Sequence, residues 1–431
     1  MHRGGRPRAQ NMQQESPSPA RAPAPVIAAE SIRPEAASIV RRLQRGGHRA
    51  YLVGGCVRDL LLGFKPKDFD LATSARPRQV KRLFRYSRII GRRFKLVHVS
   101  LGSFMFEVAT FRAPPERDGE DFYIRRDNVF GTEEQDAHRR DFTINGLFYD
   151  PMRKRLVDHV GGVEDLRARK IRTIGDPDVR LREDPVRILR AARFAGRLDF
   201  GIDADLREAI GRHREDLRRS APPRVLEEFY RLLSGHGAAE AFRLLADFGA
   251  LDVLLPELGP VGDRFFDSVE RLSTETTGQR DHLRQSTLIA VLFSPPVLAM
   301  FDAELRGDQG VESEVYELLR SLALRFTVAR RDFNGACECL AAQSRLARPP
   351  HGRSAGRFTR RECFSEALLL REILGPVHAE GNDPLPLWKE LARAEQGQGP
   401  KKKKRRRRRG GRRRRGNRPL SPQPDEGKRE A

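Results

Sequence analysis

The sequence predicts an α+β protein: a head built on a mixed sheet, an all-helical remainder and disordered termini. Three observations predict it. Apolar–polar alternation and glycine turns concentrate in residues 31–160, the pattern of half-buried strands. From about residue 175 the apolar spacing turns helical and stays so to about 395. Both ends lack apolar anchors: residues 1–30 are rich in Pro and Ala, and residues 401–418 are Lys and Arg broken by Gly and Asn, which cannot bury enough surface to fold. The chain therefore divides into an extension 1–30, a head 31–170, two helical segments 171–260 and 261–395, and a polybasic tail 396–431.

Taken in order, Ile39, Val40 and Leu43 mark a helix that Gly46-Gly47 ends. A strand is expected at 50–54, because Tyr51 to Val53 form a short apolar run. Gly54 and Gly55 then turn the chain into a short helix carrying Val57, Leu60 and Leu61. A strand is expected at 68–73 and a helix at 77–84, with Pro77 in its first turn. Residues 96–101 and 104–111 alternate around Gly102-Ser103 and read as a hairpin. Residues 113–137 read as a mobile loop, being charged and poor in apolar side chains. Helices are expected at 185–194, 224–233 and 237–248, the last stopped by Gly249.

Composition narrows the partners. The 431 residues carry a net charge of +23, which favours a polyanion. Residues 396–431 alone hold 16 Lys and Arg against 3 Asp and Glu. No apolar run reaches the length of a membrane span, and the first 30 residues lack the apolar stretch of a secretory leader. Four cysteines without zinc-site spacing point to reduced thiols and a cytoplasmic location.

The chemistry is concentrated in one stretch. A glycine turn before a helix offers free N–H groups to a phosphate. Asp68 and Asp70 follow, separated by one residue, so on an extended chain both point to one face. Two carboxylates on one face repel unless a cation lies between them. Phosphate cradle and paired carboxylates together suit metal-assisted nucleotidyl transfer, with magnesium as the oxygen-seeking ion. A third carboxylate would complete such a set. Glu107 alternates with apolar neighbours on its strand, and Asp141 lies in Arg139-Arg140-Asp141-Phe142-Thr143-Ile144-Asn145; either could supply it.

The ordered set GGCVRDLLLG…PKDFDLAT, EVATFR, RRDFTINGL, DHVGGVEDLRARKIRTIG and REDPVRILRAARFAGRL resembles the class II, polymerase-β-like nucleotidyltransferases. These include the CCA-adding tRNA nucleotidyltransferases and the bacterial poly(A) polymerases. The resemblance covers about residues 31–260. It implies a head that transfers nucleotides with two magnesium ions (manganese being possible), ATP as substrate and RNA 3′ ends as partner. It implies that Asp68 and Asp70 hold metal, that Glu107 or Asp141 is the third essential carboxylate, and that Gly54, Gly55 and Arg58 form the triphosphate turn. It further implies that Arg140, Asp141 and Asn145 hold the ribose, and that Asp184 and Arg187 read the incoming base. Asp184 is also expected to cap the helix that carries Arg187, with Arg190 and Arg193 continuing along it toward phosphate or RNA.

The stretch Ile89-Ile90-Gly91-Arg92-Arg93-Phe94-Lys95-Leu96-Val97-His98-Val99 and the hexapeptide Arg126-Asp127-Asn128-Val129-Phe130-Gly131 resemble the poly(A) polymerase version. Arg92, Arg93 and Lys95, with Lys401, Arg405 and Arg412 of the tail, are then the sequence-blind RNA contacts. The expected activity is template-independent addition of AMP from ATP to RNA 3′ ends. The alternatives are CCA addition to tRNA and a non-catalytic RNA-binding protein, the latter disfavoured because all candidate carboxylates are present.

Overall fold

The computed structural model describes residues 27–91, 95–114, 129–275, 283–303, 310–375 and 383–397. Helix α1 (Pro34–Arg45) buries Ala36, Ile39, Val40 and Leu43 and stops at Gly46. Strand β1 (Ala50–Val53) leads through Gly54 into α2 (Gly55–Leu61). Then come β2 (Leu71–Thr73), α3 (Pro77–Leu83), β3 (Ser87–Ile90), β4 (Leu96–Leu101) and β5 (Phe104–Thr110). Helix α4 (Glu133–His138), β6 (Leu147–Asp150), β7 (Arg155–Asp158) and α5 (Gly162–Arg167) complete the head.

The seven strands form one sheet in the order β3-β4-β5-β2-β1-β6-β7. Only β2 and β5 run parallel; the other neighbours are antiparallel. One face packs Leu52, Leu71, Val97, Val99, Phe106 and Val108 into the main core with α1 and α3. The other buries Val53, Ala72, Phe111 and Phe148 with Ala137 of α4.

After the head, β8 (Lys170–Ile171) pairs in parallel with β9 (Gly201–Ile202). Between and after these two strands come α6 (Pro177–Glu183), α7 (Arg187–Leu198), α8 (Ala204–His213), α9 (Pro222–Leu233), α10 (Ala238–Asp247) and α11 (Ala250–Leu254). The described residues beyond are helical: α12 (Asp263–Glu275), α13 (Gln285–Leu292), α14 (Ser294–Ala303), α15 (Val311–Arg325), α16 (Arg330–Leu346), α17 (Gly352–Phe358), α18 (Phe364–Leu374) and α19 (Leu385–Gly397). The main core runs from the head into these helices, and Trp388 anchors a smaller cluster with Phe358 and Phe364. This is the mixed-sheet head with a helical remainder that the sequence predicts.

Four expectations need correction. Regular pairing of the strand expected at 68–73 begins only at Leu71. Asp68, Phe69 and Asp70 still alternate, with Phe69 buried between two exposed carboxylates. The loop expected at 113–137 contains α4, closed by a capping box in which Gln135 N donates to Thr132 Oγ1 and the Gln135 side chain accepts from Thr132 N; residues 115–128 lie outside the described residues. Strand structure does not end before residue 175, because β9 returns to pair with β8. The extension 1–30 does not stay wholly outside the fold: Ile27 is buried in the main core.

Candidate active site

Gly54 makes the turn at the end of β1. Its φ of 71° lies in the region that favours glycine. A Cβ there would stand 2.9 Å from Arg140 NH1, and one on Gly55 would stand 3.5 Å from Arg58 NH2. Each glycine is thus open to a guanidinium. Helix α2 is two turns long, so the attraction for an anion comes more from Arg58 and Arg140 than from the helix dipole. Cys56 sits within α2, its buried thiol donating to Val53 O at 3.2 Å and pushed up to about 12 chiefly by burial.

Arg58 is 2% exposed. It donates twice to Asp59 Oδ1, at 2.9 and 2.7 Å, and once to Asn145 Oδ1 at 2.6 Å. Asp59 also accepts from Arg197 of α7 at 2.8 Å. Arg140 donates to Asp136 Oδ2 at 3.0 Å and to Asn145 O at 3.4 Å. No role is expected of Asp59, Asp136 or Arg197 from the sequence, although Asp59 and Arg197 lie within the stretches GGCVRDLLLG and REDPVRILRAARFAGRL.

Asp70 lies beside this turn. The Asp70 side chain reaches solvent but is crowded by the protein around it; that desolvation first, then Glu107 and Asp68, pushes its carboxyl up to about 6, against the pull of Arg140. By extension of the parallel register Leu71↔Val108, Asp70 sits opposite Glu107. Glu107 is half exposed and lies 3.4 Å from His98 Nε2 across the β4–β5 pair. Among the described residues, neither Asp68 nor Asp70 forms an ion pair, and no three His, Cys, Asp or Glu side chains converge to hold a metal by themselves. Mutually repelling carboxylates next to a phosphate turn still fit magnesium, which binds through one or two carboxylates and completes its shell with water and substrate phosphate.

Asp141 is occupied elsewhere. Its Oδ1 accepts from Phe142 N at 2.8 Å and from Asn145 Nδ2 at 3.2 Å. Its Oδ2 takes both Nε (2.8 Å) and NH2 of Arg190. These contacts hold its carboxyl far below the usual range in spite of burial. Arg190 and Arg193, expected to reach phosphate or RNA, turn inward. Arg193 Nε donates to Glu228 Oε2 at 3.0 Å, and Arg190 NH1 reaches Glu228 Oε1 at 3.4 Å.

Asp184 does not cap α7. It ends α6, its backbone carbonyl accepts from Arg187 N, and its Oδ2 accepts from Arg224 of α9 at 2.8 Å. Its other oxygen is buried without a hydrogen-bond partner. Arg187 donates to Arg180 O and, at 3.3 Å, to Glu183 Oε2. Gly54, Gly55, Arg58, Asp70, Arg140, Asp141, Asn145, Asp184, Arg187 and Arg190 line one open cleft of about 670 Å³, whereas Asp68, Glu107 and Arg193 are not among its lining residues. Lys95 is exposed just before β4. Arg92, Arg93, Lys401, Arg405 and Arg412 lie outside the described residues.

Residues 50–172 match the family described as the poly A polymerase head domain, and residues 199–260 match a probable RNA and SrmB-binding site of polymerase A. Poly(A) polymerase I of Salmonella typhi is 38% identical over 338 residues, 74% of this chain and 70% of the relative. The chain belongs to the bacterial poly(A) polymerase family. Another poly(A) polymerase I, from Haemophilus influenzae, is 45% identical over 232 residues, 52% of this chain; the match spans about half of that relative's length. In fold, this poly(A) polymerase family member is similar to the CCA-adding enzyme of Bacillus stearothermophilus solved with CTP. That match has a TM-score of 0.62 and 28% identity, and covers 85% of this chain and 83% of the other. The chain carries the nucleotidyltransferase head of this superfamily.

Proposed function

We propose that the chain adds AMP from ATP to RNA 3′ ends without a template. The observation that carries this reading is the exposed Asp68/Asp70 pair beside a glycine turn flanked by two guanidiniums. Paired carboxylates beside an anion cradle are what joining a hydroxyl to an α-phosphate requires.

In this reading Asp68 and Asp70 hold magnesium, with manganese as a substitute. When bound, the metal activates the RNA hydroxyl and offsets charge on the phosphates. Gly54 and Gly55 let the triphosphate approach the backbone, and Arg140 and Arg58 face it. Asn145, fixed between Arg58 and Asp141, holds the ribose together with Arg140. Asp184 and Arg187, which both line the cleft, read the incoming base. Arg190 and Arg193 act as positioning residues that tie α7 to Asp141 and Glu228. Glu107 is favoured as the third carboxylate, since it acts directly on Asp70 whereas Asp141 is fully hydrogen-bonded.

The proposed division of labour follows the fold. Residues 31–170 catalyse, residues 171–260 read the base and contact RNA, and residues 261–395 hold RNA. All four cysteines are free and buried, which supports a reducing, cytoplasmic location. Among the described residues no helix is long and apolar enough to cross a membrane.

The test offers ATP and CTP separately to an unstructured RNA with magnesium. AMP incorporation that Asp68→Ala abolishes, with RNA binding retained, supports the reading. Incorporation of CMP onto tRNA lacking its 3′ end would favour CCA addition. Failure of both, with RNA still bound, would leave a non-catalytic binder.

A further inference from the structure

The open face of β3, β4 and β5 carries two rows of side chains that lead to the carboxylates. Residues directly opposite one another on paired strands share a face. The register Arg88↔His98 and His98↔Glu107, extended in parallel to Asp70, gives the first row. The second is Tyr86, Ser100 and Met105: Ser100 N donates to Tyr86 O, Ser100 pairs with Met105, and Met105 lies two residues before Glu107 on the same face of β5. The opposite face holds Val97, Val99, Phe106 and Val108 in the core, so the rows face solvent. β3 is the edge of the sheet.

Composition changes along these rows. The inner end is acidic. The outer end is aromatic and cationic: Tyr86 is 69% exposed, the Arg85 guanidinium lies 5.6 Å from its ring centroid, and Arg88 is exposed. Met105, between the two ends, is 62% exposed. Three strand spacings put β3 about 14 Å from β2, which Asp68 and Asp70 directly precede, room for a short run of nucleotides.

We propose that this face seats the single-stranded 3′ segment of the RNA, with Tyr86 as the stacking platform for an upstream base. The inference rests on the adenylyl-transfer reading above, which requires an RNA 3′ hydroxyl at Asp68 and Asp70. A strand whose end lies there must leave the cleft across some surface. This face is continuous with the carboxylates, offers an aromatic ring to a base of any sequence, and sets arginines beside it for phosphate. Met105 gives apolar contact to the base between.

The test compares the full-length wild type with Tyr86→Ala and Tyr86→Phe, on oligo(A) and on the same oligonucleotide with abasic units next to its 3′ nucleotide. Tyr86→Ala is expected to raise KM for oligo(A) about tenfold, with KM for ATP unchanged, and Tyr86→Phe to behave as wild type. The wild type should lose about as much on the abasic substrate, and Tyr86→Ala should no longer distinguish the two. An active wild type with an unchanged RNA KM in Tyr86→Ala, or with the same abasic penalty in both proteins, overturns this inference alone. A wild type that adds no AMP to any RNA overturns the functional reading beneath it.

Discussion

Arg197 of α7 donates to Asp59 of α2 at 2.8 Å, and through Asp59 it bears on Arg58, which holds Asn145 in the cleft. Helix α7 is thereby linked to the glycine turn by a relay of two salt bridges. The partners differ in burial: Arg58 is 2% exposed, Asp59 7% and Arg197 38% by side chain.

That difference sets an asymmetric prediction. Arg197→Ala removes a partly solvated partner and is expected to cost well under 1 kcal/mol. Asp59→Ala leaves the Arg58 guanidinium buried without its carboxylate and is expected to cost about 3–5 kcal/mol. Urea denaturation of the two variants measures both. Equal losses would show that Arg58 finds another partner, and that Asp59 is not what holds it.

Gly54 and Gly63 separate backbone strain from site geometry. Both have positive φ, 71° and 77°, so alanine at either is expected to cost about 1–2 kcal/mol of stability. A Cβ at Gly63 meets nothing within 4 Å, whereas one at Gly54 meets Arg140 NH1 at 2.9 Å. Gly54→Ala should therefore also lower kcat/KM for ATP by about tenfold or more, and Gly63→Ala should not. Steady-state kinetics on the two folded variants decide it; equal activities would remove Arg140 from the nucleotide's surroundings.

The Asp141–Arg190 contact has a pH signature. Contacts with Arg190, Phe142 N and Asn145 hold the Asp141 carboxyl below its unfolded value of about 3.9. A depressed acid stabilises the fold above the unfolded pKa, and that stabilisation fades as pH falls toward the folded one. Asp141→Asn should therefore be less stable than wild type by about 3 kcal/mol at neutral pH. The gap should stay flat between pH 5 and 8 and narrow below about pH 4. A gap that widens in acid would contradict the assignment.

Local signals in the sequence were sufficient for local structure. The 3.6-residue spacing of Ile39, Val40 and Leu43 gave α1, and alternation around Gly102 gave the β4–β5 hairpin, because each pattern repeats the side-chain direction of its element. Helix α4 was missed because only Ala137 among its six residues is apolar; its one legible mark was the Thr132–Gln135 capping box. Asp184 departs from the expected cap because a partner 40 residues away, Arg224, captures its carboxylate. Glu228 carried no mark at all: it lies on α9 beside buried Val225, Phe229 and Leu232, and only the packing of α9 on α7 explains a buried carboxylate facing Arg190 and Arg193. The residues that line the cleft were legible as motifs. What holds them was not, since pairs such as Asp59–Arg197 are 138 residues apart and follow from topology, not spacing.

Charge at the C-terminus gives the last prediction. Residues 396–431 hold 16 Lys and Arg against 3 acids, while the cleft's own arginines are largely committed to carboxylates within the protein. Sequence-blind attraction for RNA should then come disproportionately from the tail. If about five of its charges neutralise phosphates on a single strand, log K for RNA falls with log salt with a slope of about −3.5 from this source. Ending the chain after Pro400 should flatten the slope by that amount and raise KM for RNA far more than it lowers kcat, because nothing at Asp68 or Asp70 changes. Measuring KM for one oligonucleotide at several salt concentrations, with and without the tail, tests this directly. An unchanged KM at moderate salt would place the RNA affinity on the folded surface instead.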